Sequence, residues 1–252
     1  MGIWEQSGYD VRLEWGGEGV AALGRECAGL IIVDVLSFST TTDLVLGRGS
    51  RVLPVRWRDE RGLSYAREAG AVVAGERGFT LRPSSVTEIP SGTLLALPSP
   101  NGATLCDAAA ETGAEVLAGC LRNASAVAAK AHELAGGEPI GVIAAGERWG
   151  VNIFGAGDTL GPLRPCVEDH VGAGAIAAAL ERLGRSLSPE ATLAAHPIDV
   201  AAALAGCTSG RELAAAGHGN DVVLAARVDV SEVAPVLIDG VLMDTVFDGH
   251  GL

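Results

Sequence analysis

Short apolar runs and amphipathic stretches alternate along the chain at nearly regular spacing, the pattern of strands followed by crossover helices. The strongest run, Gly29-Leu30-Ile31-Ile32-Val33, carries no polar side chain for a wet face. It therefore predicts a central strand covered on both sides, and it runs straight into Asp34 at its carboxyl edge. Ser37, Ser39, Thr40, Thr41 and Thr42 follow, a hydroxyl cluster that predicts a helix start whose free backbone N–H groups face the same edge. Further strands are expected over 11–15, 51–55, 71–74, 93–97, 115–119 and 140–145, with a last strand over 222–228 and an edge strand over 233–238. Helices are expected over 20–25, 58–69, 105–111, 124–134, 166–183 and 208–217, and over 189–205 with an interruption near Pro197. Asn101 caps the third of these, and Asn123 or Ser125 opens the fourth.

This alternation predicts an α/β fold with a largely parallel sheet flanked by helices. One domain over 1–252 accounts for it, and the Gly- and Pro-rich stretch 149–165 reads as a lid, an insertion or a boundary between two small lobes around one cleft.

Composition narrows the function classes. Hydrophobic residues make up 48% of the 252 positions, yet no apolar run is long enough to cross a bilayer, and the segment from Met1 to Glu5 has no basic signal region. A cytoplasmic protein with no membrane partner is expected. The net charge of −13 argues against nucleic acid, which needs basic surface. Lys130 is the only lysine among 18 basic residues, so a positive group in a site is expected to be arginine, suited to a bidentate grip on oxyanions. Cys27, Cys106, Cys120, Cys166 and Cys207 have no paired spacing and are expected reduced and buried. The chain has no phosphate-binding G-x-x-x-x-G-K-[ST], no G-x-S-x-G elbow and no H-E-x-x-H, and Gly172 and Gly174 read as close helix packing. The five histidines read as surface or capping residues, with His170 the one to watch.

Two features could carry chemistry. Asp34 with its hydroxyl cluster is either a capped strand end or an anion site. Glu168 and Asp169, in the first turn of a helix, are either partners of the helix dipole or ligands of Mg²⁺, which takes one or two carboxylates plus water and substrate oxygen. Asp34 could add a further carboxylate.

Six motifs in fixed order go further: Ile32-Val33-Asp34-Val35-Leu36 with the Ser/Thr cluster; Gly75-Glu76-Arg77-Gly78-Phe79; Pro100-Asn101-Gly102-Ala103; Arg122-Asn123-Ala124; the run from Glu168 to Gly174; and Ser209-Gly210-Arg211-Glu212-Leu213 with Gly219-Asn220-Asp221-Val222. Together, over roughly residues 28–240, they resemble the 2-phosphosulfolactate phosphatase (ComB-like) family. The resemblance implies a Mg²⁺-dependent phosphatase on an α/β fold, acting on a small anionic phosphomonoester such as 2-phosphosulfolactate, with a homo-oligomer allowed. Matched position by position, it implies Asp34, Glu168 and Asp169 near the metal. Arg77, Asn101, Gly102, Arg122, Asn123 and Arg211 would surround the substrate's anionic groups, with Asp34, Ser37, Thr40 and Asn101 at the reacting centre. Asp34 could be a ligand, a nucleophile or a general base. The chain departs from the family pattern at Ser37, where an arginine is expected, at the residues 97–100 before Asn101, and at Arg82-Pro83-Ser84-Ser85. These departures motivate one alternative, a non-catalytic binder of small anionic metabolites on the same fold.

Overall fold

The computed structural model describes residues 3–57, 59–152, 155–156 and 161–245. Its strands are β1 (Val11–Trp15), β2 (Gly29–Val33), β3 (Arg51–Val55), β4 (Val72–Val73), β5 (Leu94–Pro98), β6 (Glu115–Gly119), β7 (Ile140–Ala144), β8 (Glu147–Arg148), β9 (Val151–Asn152), β10 (Gly155–Ala156), β11 (Leu163–Arg164), β12 (Pro235–Ile238) and β13 (Val241–Asp244). Its α-helices are α1 (Gly16–Leu23), α2 (Phe38–Leu46), α3 (Glu60–Glu68), α4 (Gly102–Ala110), α5 (Ala124–Ala135), α6 (Val167–Arg182), α7 (Pro189–Ala194), α8 (Val200–Gly206), α9 (Thr208–Ala215) and α10 (Gly219–Ala225).

Every residue of β2 is buried, because a strand alternates its side chains and both faces of this one meet a helical layer. Ile31 and Val33 pack with Leu117 of β6 against Val127 and Ala131 of α5 and Ala173, Ile176 and Leu180 of α6. Leu30 and Ile32 point the other way, into a cluster with Val20 and Leu23 of α1, Phe38 and Val45 of α2 and Cys106 and Ala109 of α4. The result is a three-layer α/β/α arrangement. Small residues allow the layers to close: a Cβ at Gly174 would run into the Ala194 carbonyl, so α6 lies directly against α7.

Nine strands form the main sheet in the order β1-β7-β2-β6-β12-β13-β3-β5-β4. β1, β7, β2 and β6 are mutually parallel, as are β3, β5 and β4. The antiparallel hairpin β12–β13 lies between these blocks and pairs antiparallel with β6 on one side and β3 on the other. The α/β fold with its largely parallel, helix-flanked sheet is therefore present as the sequence predicts.

Three expectations need correction. Residues 222–225 belong to helix α10, whose Asp221, Val222 and Ala225 are buried while Val223 is 57% exposed, a helical and not a period-two pattern. The strand over 233–238 is not an edge: β12 is interior, because Asp239 (φ 50°) and Gly240 (φ 80°) turn the chain in a two-residue hairpin that adds β13 beside it. Within 149–165, the described residues pair as short antiparallel ribbons, β8 with β11 and β9 with β10, while 153–154 and 157–160 lie outside the described residues.

Smaller details agree. Asp59 caps α3 by accepting the Arg61 N–H at 3.0 Å, with the expected start at Arg58 outside the described residues, as are Met1 and Gly2. The break near Pro197 separates α7 from α8. All five cysteines are free and buried. Among the described residues no helix is long and apolar enough to cross a membrane.

Candidate active site

Asp34 leaves the carboxyl end of β2 and is 5% exposed. Its Oδ1 accepts the Phe38 N–H at 3.3 Å and its Oδ2 accepts the Gly102 N–H at 2.8 Å, so the N-terminal turns of α2 and α4 both aim at this one carboxylate. The free N–H groups expected at the helix start are thus directed in part to Asp34 itself. Ser99 Oγ adds a donor at 3.3 Å. Only glycine permits this approach, since a Cβ at Gly102 would run into the Phe38 ring. Burial pushes the Asp34 carboxyl up to about 6; the Gly102 and Phe38 N–H groups pull it down, and the nearby Glu147 pushes it further up.

Asp169, in the first turn of α6, is equally buried. Its Oδ1 accepts the Val35 N–H at 2.8 Å and its Oδ2 the Gly146 N–H at 2.8 Å, which ties α6 to the chain leaving β2 and β7. Burial raises its carboxyl well above the usual range, and Glu168 and Asp34 raise it further by repulsion. Glu168 is 4% exposed beside Cys207, whose thiol is raised to about 11 by burial and then by the Glu168 charge. Glu147, half-buried in β8, accepts the Asn101 amide at 3.1 Å through Oε2.

These four carboxylates line one cleft of about 300 Å³ together with Glu212, Ser37, Ser99, Asn101, Arg82, Arg164, Ser209 and His218. A separate cavity of about 340 Å³, under α3, is lined mainly by apolar groups such as Val55, Leu63, Val73 and Ala96 and brings together no comparable set of carboxylates.

Asp34, Ser37, Asn101, Glu168 and Asp169, singled out in the sequence, thus share a wall, with the Gly102 N–H directed at Asp34. The others sit elsewhere. Thr40 is fully buried and donates its hydroxyl to the Val35 carbonyl at 2.7 Å, bracing the turn into α2. Arg122 pairs with Asp43, Nε to Oδ2 at 2.7 Å, in a buried contact outside the cleft lining. Asn123 accepts the Cys120 N–H and donates to the Val233 carbonyl, holding the start of α5 to the chain entering β12. Arg77 lies exposed in its loop with φ 52°, and Arg211 is exposed on α9; neither lines the cleft. His170 stacks on Trp15 with ring centroids 6.2 Å apart.

Sequence reasoning gave no role to Glu147, Arg82, Ser99, Arg164, Ser209 or His218. Glu147 had a readable signal, since it follows the apolar run of β7 much as Asp34 follows β2. The rest come from loops and helix ends whose meeting depends on the fold.

Comparison with known proteins agrees with this architecture. The 2-phosphosulpholactate phosphatase family model matches residues 22–240. A 2-phosphosulfolactate phosphatase from Methanothermobacter thermautotrophicus is 30% identical over 223 residues, covering 85% of this chain and 89% of the relative. A probable 2-phosphosulfolactate phosphatase from Deinococcus radiodurans is 28% identical over 225 residues, covering 83% and 88%. With a family match spanning most of its length and the six motifs in order, the chain belongs to the 2-phosphosulfolactate phosphatase family.

Proposed function

We propose that the cleft hydrolyses a small, multiply anionic phosphomonoester, 2-phosphosulfolactate or a related phospho-hydroxy acid, to the hydroxy acid and phosphate, with Mg²⁺ as cofactor. The observation that supports this most is the convergence of Asp34, Glu147, Glu168 and Asp169 on one cleft that also holds Ser37 and Asn101.

The donor set fits a hard cation. The neighbours that raise Asp34 and Asp169 electrostatically are themselves carboxylates, so a divalent ion would relieve repulsion that the protein leaves in place. Among the described residues no three His, Cys, Asp or Glu side chains stand together closely enough to hold one metal ion by themselves. Carboxylates spread around a cleft suit Mg²⁺, which uses one or two of them and keeps several waters. One or two of Asp34, Glu168 and Asp169 would hold the ion, with water and substrate oxygens as its other ligands, and when bound it supplies charge neutralisation at the phosphoryl oxygens.

The chain's own groups do the rest. The Ser37 hydroxyl and the Asn101 amide offer hydrogen-bond donors to phosphoryl oxygens, and Glu147 orients the Asn101 amide. Glu147 is half-buried where Asp34, Glu168 and Asp169 are buried, so water reaches it and it is placed to accept the proton of the attacking water. Asp169 keeps the two strand ends in register through its paired N–H contacts.

Release of inorganic phosphate from 2-phosphosulfolactate and 2-phospholactate, measured with Mg²⁺ and with EDTA, tests the proposal. Turnover that requires Mg²⁺ supports it. Absence of turnover together with measurable sulfolactate binding would favour the non-catalytic binder.

A further inference from the structure

The carboxylates come from the ends of β2 and β7 and from α6, but the cleft has another wall. Arg82, just before a single 3₁₀ turn (Pro83–Val86), and His218, at the junction of α9 and α10, line the same cavity. Arg82 Nη1 lies 2.9 Å from His218 Nδ1. A guanidinium carries only donors, so Nδ1 must accept and the ring proton sits on Nε2. Both groups therefore retain N–H donors: the remaining ones of Arg82 and the Nε2–H of His218.

Arg82 makes no ion pair among the described residues. A guanidinium that makes no such pair, in a cleft also lined by Asp34, Glu147, Glu168, Asp169 and Glu212, is placed for an incoming oxyanion. Its loop is fixed from both sides. Thr41 Oγ1 donates to the Leu81 carbonyl at 2.6 Å, and buried Asp221 accepts the Ser84 N–H at 2.7 Å while the Asp221 N–H bonds the His218 carbonyl at 3.0 Å. Asp221 thus holds the loop of Arg82 and the backbone of His218 together, which preorganises the pair.

We propose that Arg82 and His218 anchor the substrate's second oxyanion, the sulfonate or carboxylate that is not transferred, and so select multiply anionic esters. This deepens the phosphatase reading and rests on it. The carboxylate wall receives the phosphoryl group; of the two arginines lining the cleft among the described residues, Arg164 lies 5.8 Å from the Trp149 ring centroid, while Arg82 is held at His218.

The test compares three esters in wild type, Arg82→Gln and His218→Gln: 2-phosphosulfolactate, 2-phospholactate without the sulfonate, and isopropyl phosphate with neither extra anion. Losing one charge-assisted anchor should lower the kcat/KM ratio of 2-phosphosulfolactate to isopropyl phosphate about ten- to a hundredfold in Arg82→Gln, chiefly through KM, and less in His218→Gln. A ratio that falls for 2-phospholactate as well assigns the carboxylate; one that falls for 2-phosphosulfolactate alone assigns the sulfonate. Equal losses on all three esters, or no loss on any, overturns the proposal. Calorimetric binding of sulfolactate and lactate keeps it separable from turnover. If wild type hydrolyses none of the esters but binds sulfolactate, and Arg82→Gln abolishes that binding, the hydrolase reading fails while the anchor stands. If wild type hydrolyses the esters and Arg82→Gln binds sulfolactate as wild type does, the anchor alone fails.

Discussion

Replacing Asp34 with asparagine should make the metal-free protein more stable at pH 8 and should give no such gain at pH 4. The carboxyl is raised from its ordinary 3.8 to about 6, chiefly by burial, so holding it ionised costs the fold about two pK units, roughly 3 kcal/mol. Because the folded pKa lies above the unfolded one, the cost is absent where both states are protonated. It grows as pH rises from about 4 and is fully present above about 6. Asparagine removes it at a price in hydrogen bonding: its oxygen can face the 2.8 Å Gly102 N–H and the Ser99 hydroxyl, but its NH₂ then meets the Phe38 N–H. One frustrated donor costs about 1–2 kcal/mol, which leaves a net gain of roughly 1–2 kcal/mol at pH 8. Urea unfolding of both proteins in EDTA across this pH range measures the difference directly. Mg²⁺ should then stabilise wild type more than the variant, because ligand binding to the folded state adds stability by mass action. A variant less stable than wild type throughout pH 6–8 in EDTA would show instead that the two helix ends more than offset the burial of the charge.

Asp169→Ala should lower unfolding stability by roughly 2–4 kcal/mol in chemical denaturation, because the buried Val35 and Gly146 N–H groups both lose their acceptor. Glu168→Gln, at a side chain that accepts no backbone N–H among the described residues, should keep wild-type unfolding while losing Mg²⁺-dependent phosphate release; full turnover would return Glu168 to the role of a dipole partner. Arg122→Ala should cost roughly 3–5 kcal/mol, since Asp43 would be left as a buried, unpaired charge; circular dichroism on urea titration reads this. Arg77→Lys and Arg211→Lys should leave kcat/KM within about twofold of wild type, because both side chains are exposed and outside the cleft lining, and surface substitutions act weakly.

Local structure is legible along the chain. An apolar five-residue run with no polar face had to be a doubly covered strand, and Asp34 after it had to stand at a carboxyl edge. Asp59, Pro197 and the Asp239-Gly240 pair carry their meaning in their own backbone chemistry. Residues 222–225 show the limit of such reading, for a β-branched run is consistent with strand or helix until the packing of α9 and α10 decides which side chains are buried. The site divides along the same line. Glu168 and Asp169 are adjacent in the chain, yet only the fold gives one of them two strand-end N–H groups and the other the side of Cys207. Arg122 and Arg77 look alike as candidate anion anchors. Tertiary structure assigns Arg122 to a buried carboxylate and leaves Arg77 on the surface, while Arg82, which carried no expectation of a role, meets His218 136 residues away. A guanidinium's role depends on which charge it faces, and that is a property of long-range contacts which spacing along a chain does not encode.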